Sequence, residues 1–152
     1  MRLADRVAIV TGAGSGIGAA AAAAMAREGA RVIVADLDEA GAKATAAAIE
    51  NAGGHALAIT VDVTRSADNQ AMVELALATW GRLDIFYANA GVPQAQGSIA
   101  NLEEALIDRI LAVNVKGVML GRRDAASSSS PPPPPPSARG AGTPTPRRRV
   151  RS

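Results

Sequence analysis

Four glycines alternate at positions 12, 14, 16 and 18, directly after the apolar run Val7-Ala8-Ile9-Val10 and directly before an alanine-rich stretch. Glycine lets a chain turn tightly and bring its backbone close to another group. A helix that opens on such a turn presents unpaired amides and the positive end of its dipole, a ready site for an anion. A glycine string alone is weak evidence. Its meaning depends on a strand before it and a helix after it.

The surrounding pattern supplies both. Residues 6–11 read as a short buried strand, and residues 17–28 as a helix ended by Gly29. A second apolar strand follows over 31–36. Asp38 is placed to cap a helix over 38–51, stopped by Gly53 and Gly54. A third strand is expected over 56–61, and a helix from Ser66 or Asp68 to Trp80, stopped by Gly81. Residues 83–89 read as a fourth strand, and Asn101 as the cap of a helix running to Leu120. Apolar strands alternating with helices predict a parallel sheet covered on both faces. Right-handed crossovers then set the strand order 3-2-1-4, with a ligand crevice where strands 1 and 4 diverge.

Asp36 closes the second strand, 18 residues beyond Gly18. A carboxylate there accepts hydrogen bonds from both hydroxyls of an adenosine ribose and repels a 2′-phosphate, which favours NAD over NADP. The expected cofactor site therefore takes in Thr11, Gly12, Ser15, Gly16, Ile17, Gly18, Asp36 and the neighbouring Leu37. Together these features define an α/β fold, a Rossmann-type doubly wound parallel sheet. It is expected to be truncated after the fourth β-α unit and followed by a disordered C-terminal tail.

Four segments in order resemble the short-chain dehydrogenase/reductase family. They are Thr-Gly-x-x-x-Gly-x-Gly over 11–18, Asp62-Val63, Asn89-Ala90-Gly91, and Val113-Asn114-Val115-Lys116-Gly117. The resemblance covers residues 5–121. It implies that Asp62 and Val63 contact adenine, and that Ile17 meets the pyrophosphate through its backbone. It also implies that Asn89, Ala90 and Gly91 line the cofactor and tie strand 4 to Thr11. Asn114 would be the family's catalytic asparagine, holding a water in a proton relay. Its mid-helix position, unfavourable for asparagine, also points to function. The implied chemistry is NAD-dependent hydride transfer between a small alcohol and a ketone or aldehyde. The family commonly uses helix 4 in homo-oligomer contacts.

The family's reaction needs a tyrosine whose phenol is made acidic by a lysine four residues later, and a serine beside it. The sequence holds one tyrosine, Tyr87, with Gly91 four residues on, and two lysines, Lys43 and Lys116, with no tyrosine four residues before either. Asn114 is then vestigial, and the chain alone is expected to be inactive. Two alternatives follow: a non-catalytic dinucleotide-binding module, or a truncated or frameshifted fragment without a function of its own.

Composition separates the chain at this point. Residues 1–121 hold nine basic and 13 acidic side chains, a net −4, whereas residues 122–152 hold seven basic and one acidic, a net +6. The basic balance comes from the tail and implies no nucleic-acid partner for the folded part. Eight of the nine prolines lie beyond residue 130. Two units are expected, an incomplete NAD-binding domain over 1–121 and a disordered Ser/Pro/Arg-rich tail over 122–152. The run over 131–136 would suit a polyproline-binding groove if the tail served interactions. An absent cysteine excludes disulfides and thiolate metal sites, so no metal is expected. His55 reads as a surface residue. No signal-peptide pattern or membrane-spanning run is legible, and a cytoplasmic, membrane-free protein is expected. Strand 4 is expected to present an exposed apolar edge, Ile85-Phe86-Tyr87.

Overall fold

The computed structural model describes residues 1–93 and 102–128. Four strands, β1 (Val7–Thr11), β2 (Arg31–Asp36), β3 (His55–Thr60) and β4 (Ile85–Tyr87), form one parallel sheet in the order β3-β2-β1-β4. Three helices connect them: α1 (Gly16–Arg27), α2 (Glu39–Asn51) and α3 (Ser66–Trp80). The fold is the doubly wound, Rossmann-like architecture that the alternation predicts.

Side-chain alternation explains the layering. Val10, Val32 and Val34 face one side, where Ala22 and Ala26 of α1 and Ala46 and Ile49 of α2 cover them. Val7, Ile9 and Ile33 face the other side, against Met72, Val73 and Ala76 of α3. Residues 7–10 are fully buried, so the strand is apolar on both faces. Alanine suits α1 twice: it has the highest helix propensity, and its small side chain lets the helix lie close to the sheet. Gly81, in the left-handed region at φ +73°, ends α3 as expected.

β4 is shorter than its apolar pattern predicts. Its ladder pairs only Ile85, Phe86 and Tyr87 with Ala8, Ile9 and Val10. Beyond it, the amides of Asn89 and Ala90 turn to the Thr11 hydroxyl, which ends strand pairing. Of its three residues only Tyr87 is exposed. Phe86 is covered by the last helix, where a Cβ on Gly121 would lie 2.3 Å from its ring.

The fourth helical region departs most from expectation. It consists of α4 (Glu104–Leu111), a wider π-helical segment (Ala112–Gly117) and α5 (Val118–Ser128). The expected cap Asn101 lies outside the described residues, and Glu103 takes the cap position without a side-chain bond. The expected boundary at residue 121 is corrected: residues 122–128 are helical rather than a disordered tail. Arginine and alanine favour a helix there. Tertiary contacts fix it, since Arg123 donates to Ser66 Oγ at 2.9 Å and α5 packs on α3; a local bond from Arg123 to Asp124 Oδ1 at 2.7 Å accompanies them. The Ser127 and Ser128 hydroxyls donate back to the carbonyls of Asp124 and Ala125. The expectation of a disordered tail over 129–152 lies outside the described residues.

Ile107, Leu111, Val115 and Met119 recur every fourth residue along this region and are 41–67% exposed. They form an outward apolar stripe. Among the described residues, no helix is long and apolar enough to cross a membrane.

Candidate cofactor site

Thr11 ends β1 and is buried. Its Oγ1 accepts hydrogen bonds from the amides of Asn89 and Ala90, each at 3.1 Å. The Asn89 side chain donates from Nδ2 to the carbonyls of Thr11 and Gly12, both at 3.1 Å. These four bonds fasten the end of β4 to the end of β1, where the two following segments part. Approach is so close that a Cβ on Gly12 would stand 2.8 Å from Ala90 Cα, and Gly12 has φ +65°. A Cβ on Gly18 would stand 2.0 Å from the Gly12 carbonyl oxygen.

Ser15 precedes α1 in an extended conformation and makes no side-chain cap. The helix ladder begins with Ala19 N donating to Ser15 O, so the amides of Gly16, Ile17 and Gly18 lie ahead of it. They form the anion-seeking end of α1. The Ile17 side chain is 75% exposed, which leaves its backbone as the part facing the turn.

Asp36 is anchored on both oxygens. Oδ2 accepts from Gly14 N at 2.7 Å and Oδ1 from Asp38 N at 2.9 Å. Each oxygen keeps a second lone pair, so the carboxylate is oriented without being saturated. Asp38 caps α2 by accepting from Ala40 N at 3.1 Å, the role expected of it. Leu37, between them, is two-thirds exposed on the rim.

Past β3, the Asp62 carboxylate accepts from the hydroxyl and amide of Thr64 at 2.7 and 2.9 Å. These bonds hold its carboxyl below the ordinary carboxylate range, against the opposing effect of partial burial. Asn69, fully buried on α3, donates to the carbonyls of Val63 and Arg65 and shapes the same turn. A polar residue on the apolar face of α3 was the available signal for Asn69, of the same kind that singles out Asn114.

Asn114 sits in the π-helical segment, a geometry often found at functional sites. Its Oδ1 accepts from Val92 N at 2.9 Å and its Nδ2 donates to Val92 O at 3.0 Å. The side chain thus holds the loop after β4 against the helix.

A cleft of about 570 Å³ opens above the C-terminal ends of the strands. Gly12, Ser15, Asp36 and Leu37 line it from one side; Asp62, Val63, Asn89, Ala90 and Gly91 complete much of the wall. Thr11 and Asn114 lie beneath and behind this wall, acting through the residues they fasten. Val113 of the fourth segment also lines it, as do Thr64, Val92 and Arg109, which were not singled out in the sequence. His55 opens β3 and is exposed. Among the described residues, no group of three His, Cys, Asp or Glu side chains could hold a metal ion.

Volume and lining suit a nucleotide, since ligand pockets commonly run to several hundred Å³. The free amides of the α1 turn and the oriented Asp36 fit a pyrophosphate and a ribose. Fold and site together are those of a Rossmann-like nucleotide-binding protein. A family model for short chain dehydrogenases matches residues 6–129. The chain is 40% identical over 125 residues to the short-chain dehydrogenase reductase ATA1 of Arabidopsis thaliana, covering 82% of this chain and 44% of that protein. A mutant short-chain dehydrogenase/reductase from Serratia marcescens superposes with TM-score 0.79 at 40% identity, over 84% of this chain and 52% of the other. A short chain dehydrogenase from Mycobacterium avium gives TM-score 0.80 at 36% identity, over 84% and 49%. The chain belongs to the short-chain dehydrogenase/reductase family, whose members bind NAD or NADP. It spans about half the length of the relatives it matches. The match, like α5, runs past residue 121.

Proposed function

We propose that this chain is an NAD(H)-binding unit of a short-chain dehydrogenase. One observation carries the reading: the Asp36 carboxylate is held by Gly14 N, so the glycine loop and the ribose-seeking acid form one connected wall. The α1 turn takes the pyrophosphate, Asp36 the adenosine ribose, and Asp62 and Val63 the adenine edge. Asn89, Ala90 and Gly91 line the path toward the nicotinamide. NAD, when bound, supplies hydride acceptance in the oxidation of a small alcohol, and its reduced form supplies hydride to a ketone or aldehyde. Asn114 is a positioning residue in this chain, holding Val92 through both ends of its amide.

Residues 1–152 contain no Tyr-x-x-x-Lys, and Tyr87 belongs to β4, paired with β1. No phenol beside a lysine is there to pass the proton that hydride transfer requires. The chain by itself is therefore proposed to bind cofactor without turnover. The outward stripe of Ile107, Leu111, Val115 and Met119 is proposed as a contact between copies, following the family's use of helix 4.

Calorimetric titration with NADH and NADPH tests the cofactor reading. NADH should bind at least about tenfold more tightly, and Asp36→Ala should erase most of that preference, since like charges disfavour the 2′-phosphate. Absence of NADH binding, or a preference for NADPH, would refute it. Turnover of NADH with any carbonyl compound would refute the claim of inactivity.

A further inference from the structure

Arg109 is the one basic side chain on the cleft wall among the described residues. It is exposed, and no hydrogen bond or ion pair among those residues engages it. Other arginines are differently placed: Arg6 and Arg82 pair with Asp84, Arg65 with Asp68 and Arg123 with Asp124. Helical spacing gives Arg109 its direction. Arg109, Ala112 and Val113 share the cleft face, while Ile107, Leu111, Val115 and Met119 turn outward.

The charges on the wall make the position informative. Asp36 and Asp62 both line the cleft, and the turn over residues 11–18 carries no basic side chain. A dinucleotide thus meets two carboxylates and, from the loop, only neutral amides. With its ribose on Asp36, the attached base would lie toward the apolar lining residues Leu37, Val63 and Val113. Those side chains offer apolar walls to a flat ring. Arg109 stands one helical turn from Val113. A guanidinium is planar and weakly hydrated, and it stacks on aromatic faces more readily than an ammonium does.

We infer that Arg109 is an adenine clamp: its guanidinium closes over the face of the bound base from the α4 side. The inference rests on the NAD(H)-binding reading and adds a residue to it. The clamp selects for a purine dinucleotide, partly offsets the two carboxylates, and leaves the nicotinamide end open.

Fluorescence titration of the full chain with NADH and with NADPH, and displacement of NADH by AMP and by adenosine, tests it on wild type, Arg109→Ala and Arg109→Lys. Arg109→Ala should weaken NADH, AMP and adenosine alike by about threefold to thirtyfold. Arg109→Lys should restore only part of the loss, with the melting temperature of both variants unchanged. Weakening of AMP with adenosine spared would assign Arg109 to the phosphate and overturn the clamp. Weakening confined to NADPH would assign it to a 2′-phosphate, and unchanged affinities would remove it from the site; either overturns the inference while leaving NADH binding by wild type intact. Failure of wild type to bind NADH would overturn the underlying reading and the clamp together.

Discussion

Two glycines of the same loop are required for different reasons. Gly16 has φ +53° and open space where a Cβ would stand. Gly18 has no unusual φ, but its Cβ would meet a backbone oxygen at 2.0 Å, and backbone cannot move aside as a side chain can. Gly16→Ala should therefore cost about 1–2 kcal/mol, the penalty for a left-handed residue with a side chain. Gly18→Ala should cost about 3 kcal/mol, the upper end of overpacking, and should also part Gly12 from Asn89. Urea unfolding of the two variants measures the difference, and equal costs would contradict the assignment. The glycine spacing was legible in the sequence. Which glycine answers to torsion and which to contact was not, because the second depends on a carbonyl six residues away that only the folded turn brings near.

At the scale of elements, the junction of β1 and β4 rests on Asp84. Its amide donates to Val7 O at 2.9 Å, and its carboxylate accepts from Val7 N at 2.9 Å, from Arg6 at 2.8 Å and from both ends of Arg82. Burial would raise its pKa, but the bonds from Arg82, Val7 and Arg6 outweigh burial and hold it at about 2, below the ordinary carboxylate range. A depressed folded-state pKa stabilises the fold fully above the unfolded value, and that contribution fades as pH falls through the folded one. Asp84→Asn should cost about 1–3 kcal/mol at pH 7, a cost that shrinks from pH 4 toward pH 2. Denaturant midpoints across that range check it; a penalty independent of pH would show that the charge is not responsible. Of the partners of Asp84 only Arg82 is local; Val7 and Arg6 are 77 and 78 residues away. The extension of α5 is a similar case: the Ser/Pro/Arg-rich stretch around it reads as a linker, and only the fold shows its first residues packed on α3 with Arg123 bonded to Ser66.

Across the whole molecule, the outward stripe and the cleft-lining residues occupy different faces of the same helical region, so the proposed assembly and the proposed cofactor binding should be separable by mutation. Leu111→Lys should lower concentration-dependent association, read by sedimentation, while leaving NADH affinity unchanged; unaltered association would remove the stripe as an interface. The proposed cofactor binding should also act on the molecule as a unit. NADH at 100 times its dissociation constant should stabilise the chain by about 2.7 kcal/mol, visible as a rise in melting temperature, because it binds only the folded form. The Asp36→Ala variant should show a smaller rise.

The sequence by itself determined the strand order and the place of the glycine turn, and it singled out Asp36. These follow from local period, turn chemistry and a fixed handedness, all written within a few tens of residues. Tertiary structure decided how far β4 pairs, that α5 continues past residue 121, which side of α4 carries Arg109 to the cleft, and how Asn89, Asn114 and Asp84 spend their hydrogen bonds. Those outcomes depend on partners distant in the chain, and a polar side chain declares its role only when folding has chosen its neighbour.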